Sequence, residues 1–87
     1  MQHKPPFLQS IESMMRVERY SKRTINNYLY WIKYFILFHH KQHPSKLGDK
    51  DIVAFLTYLA NERDVSSATQ SIALNALVFL KRKMLQQ

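Results

Sequence analysis

Cationic side chains alternate with small hydroxyl and amide side chains along two segments of this chain, residues 21–41 and 66–83. Both segments also carry a broad apolar stripe at helical spacing. Lys and Arg neutralise phosphates, while Asn, Gln, Ser and Thr form hydrogen bonds with phosphate oxygens or base edges. Two such faces in a domain of formal charge +7 predict a surface for a polyanion, with nucleic acid as the first candidate.

The polar face of the first segment has no acidic residue between Glu18 and Asp49. An ordinary solvated helix face mixes both signs and gains from pairs spaced four residues apart. Ser21 and Thr24 fall at the predicted N-terminus of this helix, where free N–H groups favour a phosphate. The alternative is a cationic face that contacts only water. The side chains proposed here to face the ligand are Lys22, Arg23, Asn26, Asn27, Lys33 and Lys41.

The second segment offers another helix N-terminus with short polar side chains, which would let a nucleic-acid backbone come close. Its amide side chains are of the type that pairs with adenine. An equally good interpretation is that Ser66 and Ser67 are simple N-caps and that Asn75 is an ordinary exposed residue. The candidate contact residues are Thr69, Gln70, Ser71 and Asn75, with Arg82 farther along the same polar stripe.

Three histidines, His39, His40 and His43, are the one cluster of titratable groups that suggests a metal site. Zinc needs a third or fourth ligand at defined spacing, and this segment has no Cys, while its nearest acid is Asp49. Pro44 also interrupts the helix that would align the imidazoles. The sequence therefore predicts no metal and no cofactor, with His39 closing the apolar stripe and the other two in a basic loop.

The aromatic series Tyr28, Trp31, Phe35 and Phe38 has two interpretations. It resembles a platform for stacked bases, but spacings of three and four are far more typical of a helix core. The core interpretation is favoured, with Trp31 at the flank of the stripe. The chain also lacks a Cys nucleophile, a Gly-rich phosphate loop and paired carboxylates on an apolar face, so catalysis within it is not expected.

The elements that position these residues are predicted to be helices within one domain spanning residues 1–87. One Gly and three Pro argue against an all-β fold, and a hydrophobic share of 46% can supply one core. No cysteine is present, which fits a reducing compartment. No apolar run approaches the ~20 residues of a membrane span, and the N-terminus lacks a signal-peptide pattern. A soluble, intracellular domain without a membrane partner is expected.

Proline, serine and glycine mark the predicted helix boundaries. The first helix starts at Pro5 and Pro6 and runs to about Arg19. The second is capped by Ser21 and carries the polar face through Lys41, and residues 41–48 form a loop. The third is capped by Asp49, with Ile52, Phe55, Leu56 and Leu59 inward, and the fourth runs from Ser66 or Ser67 to about Met84.

Several runs of residues, in order along nearly the whole chain, resemble the N-terminal core-binding domain of integron integrases, a branch of the tyrosine recombinases. Their joint spacing is more specific than any single run. The runs are Tyr20-Ser21-Lys22-Arg23-Thr24, Tyr28, Trp31-Ile32-Lys33, Phe35-Ile36, Phe38-His39, His43-Pro44, Phe55-Leu56-Thr57-Tyr58-Leu59-Ala60, Thr69-Gln70-Ser71, Ala73-Leu74-Asn75 and Phe79-Leu80.

The resemblance implies an all-α, compact four-helix bundle of the sterile-alpha-motif-like (SAM-like) type. It implies that this domain clamps one face of the recombination-site DNA, while a separate catalytic domain clamps the other and cuts. Ile25, Ile72 and Lys81 depart from the family pattern, which affects base preference more than fold. The implied DNA-binding residues are Lys22, Arg23, Thr24, Asn27 and Lys33 from the second helix, and Thr69, Gln70, Ser71 and Asn75 from the fourth.

The catalytic groups of such recombinases lie in the C-terminal domain, so the resemblance implies that this chain is not an enzyme by itself. None of its five tyrosines is assigned as the nucleophile. The expected partners are double-stranded DNA and the catalytic domain of a longer parent, with the isolated domain a monomer in the bacterial cytoplasm, active at the nucleoid.

Two other functions compete with this expectation. A helix-turn-helix regulator formed by the third and fourth helices would dimerise, although their connection lacks the usual turn glycine. A protein-interaction module would use apolar residues of the fourth helix, namely Val78, Met84 and Leu85. RNA or anionic membranes are further ligands that a basic domain attracts.

Overall fold

The structure, a computed structural model, describes residues 6–85 and contains four α-helices within that range. A single 3-10 turn, Pro44–Lys46, lies in the connection before the third helix, and residues 6–85 contain no strand. The all-α, four-helix architecture predicted from the sequence is confirmed. The helices are α1 (Pro6–Val17), α2 (Lys22–Phe38), α3 (Asp49–Glu62) and α4 (Ser67–Leu85).

Helix α4 packs against both α2 and α3, and α1 covers another side of α2. The apolar residues of each helix recur at spacings of three and four, so each helix turns one stripe inward. A large side chain buried in this way contributes about 1.5–3 kcal/mol. The core consists of Leu8, Ile11, Met15, Ile25, Leu29, Trp31, Ile32, Phe35, Phe55, Leu59, Ala73, Ala76, Leu77, Phe79 and Leu80.

The ring of Phe55 lies at the centre of an aromatic cluster between α2 and α3. Its centroid is 5.3 Å from that of Tyr34, 5.6 Å from that of Phe35 and 5.3 Å from that of Phe38. Trp31 is also buried and lies 6.4 Å from Phe55. The core interpretation of the aromatic series is therefore confirmed, since these rings pack against one another in the core.

Helices α2 and α4 begin with the same serine cap. The Oγ of Ser21 accepts a hydrogen bond from the backbone N–H of Thr24 (3.2 Å), and that of Ser66 accepts one from Thr69 (3.1 Å). In both cases the two hydroxyls also bond to each other at 3.0 Å. The predicted cap at Ser21 is confirmed, and of the two candidates for α4 the cap is Ser66.

Replacing Ser21 by alanine is expected to destabilise the domain by about 1 kcal/mol, because the N–H of Thr24 loses its acceptor. The midpoint of thermal unfolding should fall by about 4–8 °C, as measured by circular dichroism. Ser13→Ala is the matched control, because Ser13 is exposed within α1 and caps no helix. An equal loss in both variants would show that the cap contributes nothing.

The N-cap of α3 is Gly48, and the sequence-based assignment of Asp49 as the cap is wrong. Asp49 is the first helical residue. The carboxylate that closes this end belongs to Asp51, whose Oδ2 accepts the N–H of Gly48 at 2.7 Å. A carboxylate in the first turn also interacts favourably with the helix dipole, so both acids stabilise the start of α3.

Helix α2 ends at Phe38, which moves Lys41 off the polar face to which the sequence pattern assigned it. His40 and Lys41 both have positive φ values, 61° and 62°. The N–H of Lys41 bonds to the carbonyl of Ile36 at 2.9 Å, five residues back, and this bond closes the helix. The place given to Lys41 on the polar face of the helix is therefore wrong, whereas its assignment to the loop after α2 is confirmed.

Helix α1 ends in a similar way, at Val17 and two residues earlier than predicted. Arg19 has a φ of 65°, and the N–H of Tyr20 bonds to the carbonyl of Met15 at 3.0 Å. Glycine usually occupies the left-handed position at the end of a helix, but here Arg19, His40 and Lys41 occupy it. The sequence therefore has no glycine that would mark either helix end.

Candidate nucleic-acid interface

Helix α2 presents three exposed cations, Lys22, Arg23 and Lys33, that have no ion-pair partner. Within residues 6–85, no carboxylate oxygen lies within 4.0 Å of their side-chain nitrogens. Unpaired, solvated cations are the groups that can neutralise phosphates without first breaking an internal salt bridge. The expectation of a cationic outer face on α2 is met by the described structure.

The basic residues near the end of α4 are engaged within the molecule. Lys81 forms an ion pair with Asp49, and Lys83 forms one with Glu18. Lys83 is only 8% exposed. Two of the three cations of the run Lys81-Arg82-Lys83 therefore join α4 to α3 and to the end of α1, whereas the three cations of α2 stay unpaired.

Arg82 remains exposed but makes two internal contacts. Its Nη2 lies 3.5 Å from the hydroxyl of Tyr20, and its guanidinium carbon lies 5.6 Å from the centroid of the Phe79 ring. A cation over an aromatic face gains about 0.5–1 kcal/mol at an exposed site. These contacts orient the side chain without neutralising it, so Arg82 retains a charge for an anion.

The α2 cations occupy different edges of the polar face. Lys22 and Lys33 are about three turns apart on the side that faces α1, because Lys33 lines a groove with Phe7 and Leu8. Asn27 projects toward the opposite side of the helix, and Arg23 lies between the two edges. The polar face is therefore wide, with Lys22 and Lys33 toward α1 and with Arg23 and Asn27 toward the side that carries Tyr34.

Two candidate residues at the N-terminus of α4 already form hydrogen bonds within the protein. The backbone N–H and hydroxyl of Thr69 bond to Ser66, as described above, and Thr24 has the same arrangement in α2. The Nε2 of the half-buried Gln70 donates to the carbonyl of Leu56 at 3.1 Å and joins α4 to α3. Ser71 and Asn75 are exposed and available to a ligand.

The described structure places the α2 and α4 candidates on different helices without direct contact between the two sets. Within residues 6–85, no hydrogen bond, ion pair or ring contact joins one set to the other. Tyr34 of α2 and Tyr58 of α3 meet where these two helices pack, and Arg63 follows α3 in the chain. Sequence reasoning did not single out Arg63. The sequence signal for this region is the placement of Tyr30 and Tyr34 among the polar residues of α2.

The tyrosine hydroxyls form the centre of this second cluster. Those of Tyr34 and Tyr58 are hydrogen-bonded at 3.4 Å. The ring of Trp31 is stacked parallel to that of Tyr34, with centroids 5.9 Å apart. Tyr30 packs edge-on against Trp31 at 4.9 Å and remains 58% exposed. The cluster therefore extends from the buried core to the protein surface.

Arg63 is electrostatically coupled to these phenols. The pKa of Tyr58 is lowered, first by the hydrogen bond with Tyr34 and further by the nearby Arg63 guanidinium. The same Tyr34–Tyr58 bond raises the pKa of Tyr34. The pKa of Arg63 is raised, chiefly by its hydrogen bond with Tyr58.

His39 and His43 form contacts within the protein that stabilise the fold. The Nε2 of His39 bonds to the carbonyl of Asp51 at 2.9 Å, and its ring packs on Phe35 at 5.0 Å. The Nδ1 of His43 accepts the N–H of Ser45 at 3.2 Å. Residues 6–85 contain no group of three His, Asp or Glu side chains that could hold a metal ion. Over the same range, no helix has the length and hydropathy to cross a bilayer.

The fold and the unpaired cations define a small all-α domain with a basic outer face. The chain belongs to the phage integrase N-terminal SAM-like domain family, whose sequence model matches residues 7–87. It is 44% identical over 78 residues to an "Integrase/recombinase" of Escherichia coli, and equally similar to one of Pseudomonas aeruginosa. The alignment covers 90% of this chain but 23% of each relative.

These comparisons confirm the resemblance to the N-terminal domain of a recombinase and the SAM-like fold that it implied. The chain spans less than a quarter of the length of the relatives that it matches. The 87 residues therefore correspond to the N-terminal domain of such a protein and not to its catalytic domain.

Proposed function

We propose that this domain binds duplex DNA as the N-terminal half of the clamp of a site-specific tyrosine recombinase of the integron integrase type. The parent would act in DNA integration and recombination in the bacterial cytoplasm, at the nucleoid. The observation that carries the proposal is the set of unpaired cations on α2, a helix that contains no acidic residue. Family membership supports the same function.

Phosphate contacts supply most of the affinity in this proposal, and binding tolerates many sequences. Lys22, Arg23 and Lys33 neutralise phosphates, while Asn27 donates from the α3 side of α2. Lys41 and Arg82 add charge from the loop and from α4. The serine caps leave N–H groups of two helix N-termini for phosphate oxygens, with hydrogen-bonding groups contributed by Thr24, Thr69, Ser71 and Asn75.

Gln70 has a different role in this proposal from Asn75. Its amide nitrogen is bound to the carbonyl of Leu56, so contact with a base edge would cost that hydrogen bond. Asn75 is exposed and is free to read an adenine. Sequence preference is therefore expected to depend more on Asn75 than on Gln70.

The catalytic domain of the parent is the second proposed partner. The isolated domain is proposed to be a monomer of modest affinity, because a clamp that lacks its other half loses avidity. The remainder of the parent would restore the tight complex by closing on the opposite face of the DNA.

Binding of a fluorescent duplex by the 87-residue chain, followed by anisotropy at increasing KCl, tests the proposal. If about four phosphates are neutralised, the plot of log K against log salt should have a slope of about −3.6. Competition by duplex DNA, RNA and acidic vesicles ranks the three polyanions, and duplex DNA should compete best. A dissociation constant independent of salt would overturn the proposal.

A protein-docking function is the second candidate, supported by apolar residues on the outer side of α4. Val78 is 53% exposed and Leu85 is 76% exposed, with Leu74 one turn before Val78 also exposed. A solvated helix rarely presents such a row without a partner. Failure to bind DNA at low salt, together with self-association or capture of the catalytic domain, would favour this function. A helix-turn-helix role, in which α4 would lie in a groove of the DNA, is less well supported. Much of α4 is buried in the core of the domain.

A further inference from the structure

A groove with an apolar floor lies between α1 and the C-terminal end of α2. We propose that this α1–α2 groove binds an acidic, amphipathic peptide segment of a partner protein. Apolar side chains of the segment would cover the floor, and its carboxylates would pair with two lysines that line the groove. This inference does not depend on DNA binding. The side chains that carry it are Phe7, Leu8, Ile36 and Leu37 of the floor, and Lys33 and Lys41.

The floor of the α1–α2 groove is apolar and accessible. The groove has a volume of about 380 Å³, within the range of ligand-binding clefts. Leu8 is buried, Phe7 and Ile36 are half-buried, and Leu37 is 48% exposed. The ring of Phe7 packs edge-on against that of His43, with centroids 5.3 Å apart, and forms one wall. Covering this surface with apolar side chains removes it from water, which favours binding.

Two cations reach the α1–α2 groove from different parts of the chain. Lys33 lies on α2, one turn before Ile36 and Leu37. Lys41 lies in the left-handed turn after α2, and the bond from its N–H to the carbonyl of Ile36 keeps it near the groove. Both lysines are exposed, and within residues 6–85 neither has a carboxylate oxygen within 4.0 Å. In the described part of the chain, no acidic residue lines the groove.

The apolar floor and the unpaired cations together favour an occupant that has both apolar and acidic groups. A neutral apolar segment would cover the lysines without compensating their lost hydration. A DNA backbone offers phosphates to the lysines but no apolar side chain for the floor. A fatty acid has both kinds of group, but only one carboxylate for two cations. An amphipathic peptide supplies several apolar side chains and several carboxylates along one segment, so it matches the groove best.

The test uses a short synthetic peptide in which leucines and a phenylalanine are spaced three and four residues apart and are flanked by glutamates. It is titrated into the ¹⁵N-labelled 87-residue chain, so that amide shifts give both the contact face and Kd. Saturable shifts are expected at Leu8, Leu37 and Gln42, which line the groove. The same peptide with glutamine in place of each glutamate should bind about tenfold more weakly at low salt, because two exposed ion pairs are lost.

Removing the two cations should have the same effect as removing the carboxylates of the peptide. The double variant Lys33→Gln with Lys41→Gln is expected to raise Kd for the acidic peptide about tenfold and to leave Kd for the glutamine peptide unchanged. The matched control is Lys46→Gln with Lys50→Gln, which removes the same charge from exposed positions outside the groove. Equal losses in the two double variants would overturn the inference.

Leu37→Ser tests the apolar floor. It should weaken binding of both peptides about fivefold, because part of a leucine side chain is no longer covered. Val78→Ser is the matched control, since Val78 is exposed to a similar degree on α4, and it should leave Kd unchanged.

Three other results would overturn the inference. They are the absence of saturable shifts at ~1 mM peptide, shifts centred on α4, and tighter binding of dodecanoate than of the acidic peptide. If the peptide binds in the groove but duplex DNA does not bind the chain, the inference stands and the proposed function fails. If DNA binds and the peptide does not, the proposed function stands and the inference fails.

Discussion

Replacing Lys22, Arg23 and Lys33 together by alanine is expected to weaken duplex DNA binding about 500-fold at ~0.1 M salt. The estimate assumes one phosphate for each cation, so the slope of log K against log salt should become less steep by about 2.7. The loss should be nearly the same for every DNA sequence, because phosphates carry no base information. Anisotropy titrations against several unrelated duplexes measure both effects.

A control with the same change of net charge distinguishes a local surface from general attraction. Lys46, Lys50 and Lys81 are exposed and border the first turn of α3, and the triple alanine variant of these residues also removes three charges. Its slope should change far less than that of the α2 variant. Equal weakening by the two triple variants would mean that net charge alone drives binding, and the assignment to α2 would then be wrong.

The contrast between the two triple variants follows from how the chain distributes its acids. Glu12 pairs with Arg16 at 2.7 Å, Glu18 with Lys83, and Asp49 with Lys81. None of these acids lies on α2, so its cations keep their full charge in the described structure. Pairing thus engages Arg16, Lys81 and Lys83, while the three cations of α2 stay unpaired.

Local sequence was sufficient to predict the helices and much of the core. Ser21 has a short acceptor side chain directly before an apolar repeat, and that repeat places Ile25, Leu29 and Ile32 on one face. Both features act within a few residues, so they are visible without tertiary structure. The four-helix fold and the buried aromatic series followed from them.

Features that depend on distant residues were not predictable in the same way. Lys83 reads as a solvated residue of a basic tail, yet it is buried against Glu18, 65 positions earlier in the chain. The amide of Gln70 is of the type that reads a base, yet it donates to the carbonyl of Leu56 on α3. The spacing of Lys41 fits the polar face of α2, yet that helix ends at Phe38 without a glycine. In each case the position of the side chain depends on a tertiary contact or a backbone conformation that no local pattern encodes.

The same limit applies to Arg63 within the candidate site. In sequence it lies between two acids and reads as part of a neutral connection. Only the packing of α2 against α3 brings the hydroxyl of Tyr34 to that of Tyr58, whose pKa is lowered first by this hydrogen bond and further by Arg63. The cations of α2 could be named from composition, whereas the pairing of these two tyrosines required the arrangement of two helices.

Phe55→Ala is expected to destabilise the domain by about 3–5 kcal/mol, because its ring is fully buried and contacts four other rings. A domain of this length has a total stability of about 4–13 kcal/mol, so the loss takes much of it. The midpoint of thermal unfolding should fall by on the order of 20 °C, as followed by circular dichroism.

The matched control for this variant is Val53→Ala on the same helix. Val53 is 62% exposed, so truncating it removes little buried surface and should change stability by less than about 0.5 kcal/mol. Phe55→Leu should cost less than Phe55→Ala, since leucine fills part of the cavity. If Phe55→Ala unfolds at the same temperature as Val53→Ala, the ring is not central to the core. The packing of α2 against α3 that brings Tyr34 to Tyr58 would then need another explanation.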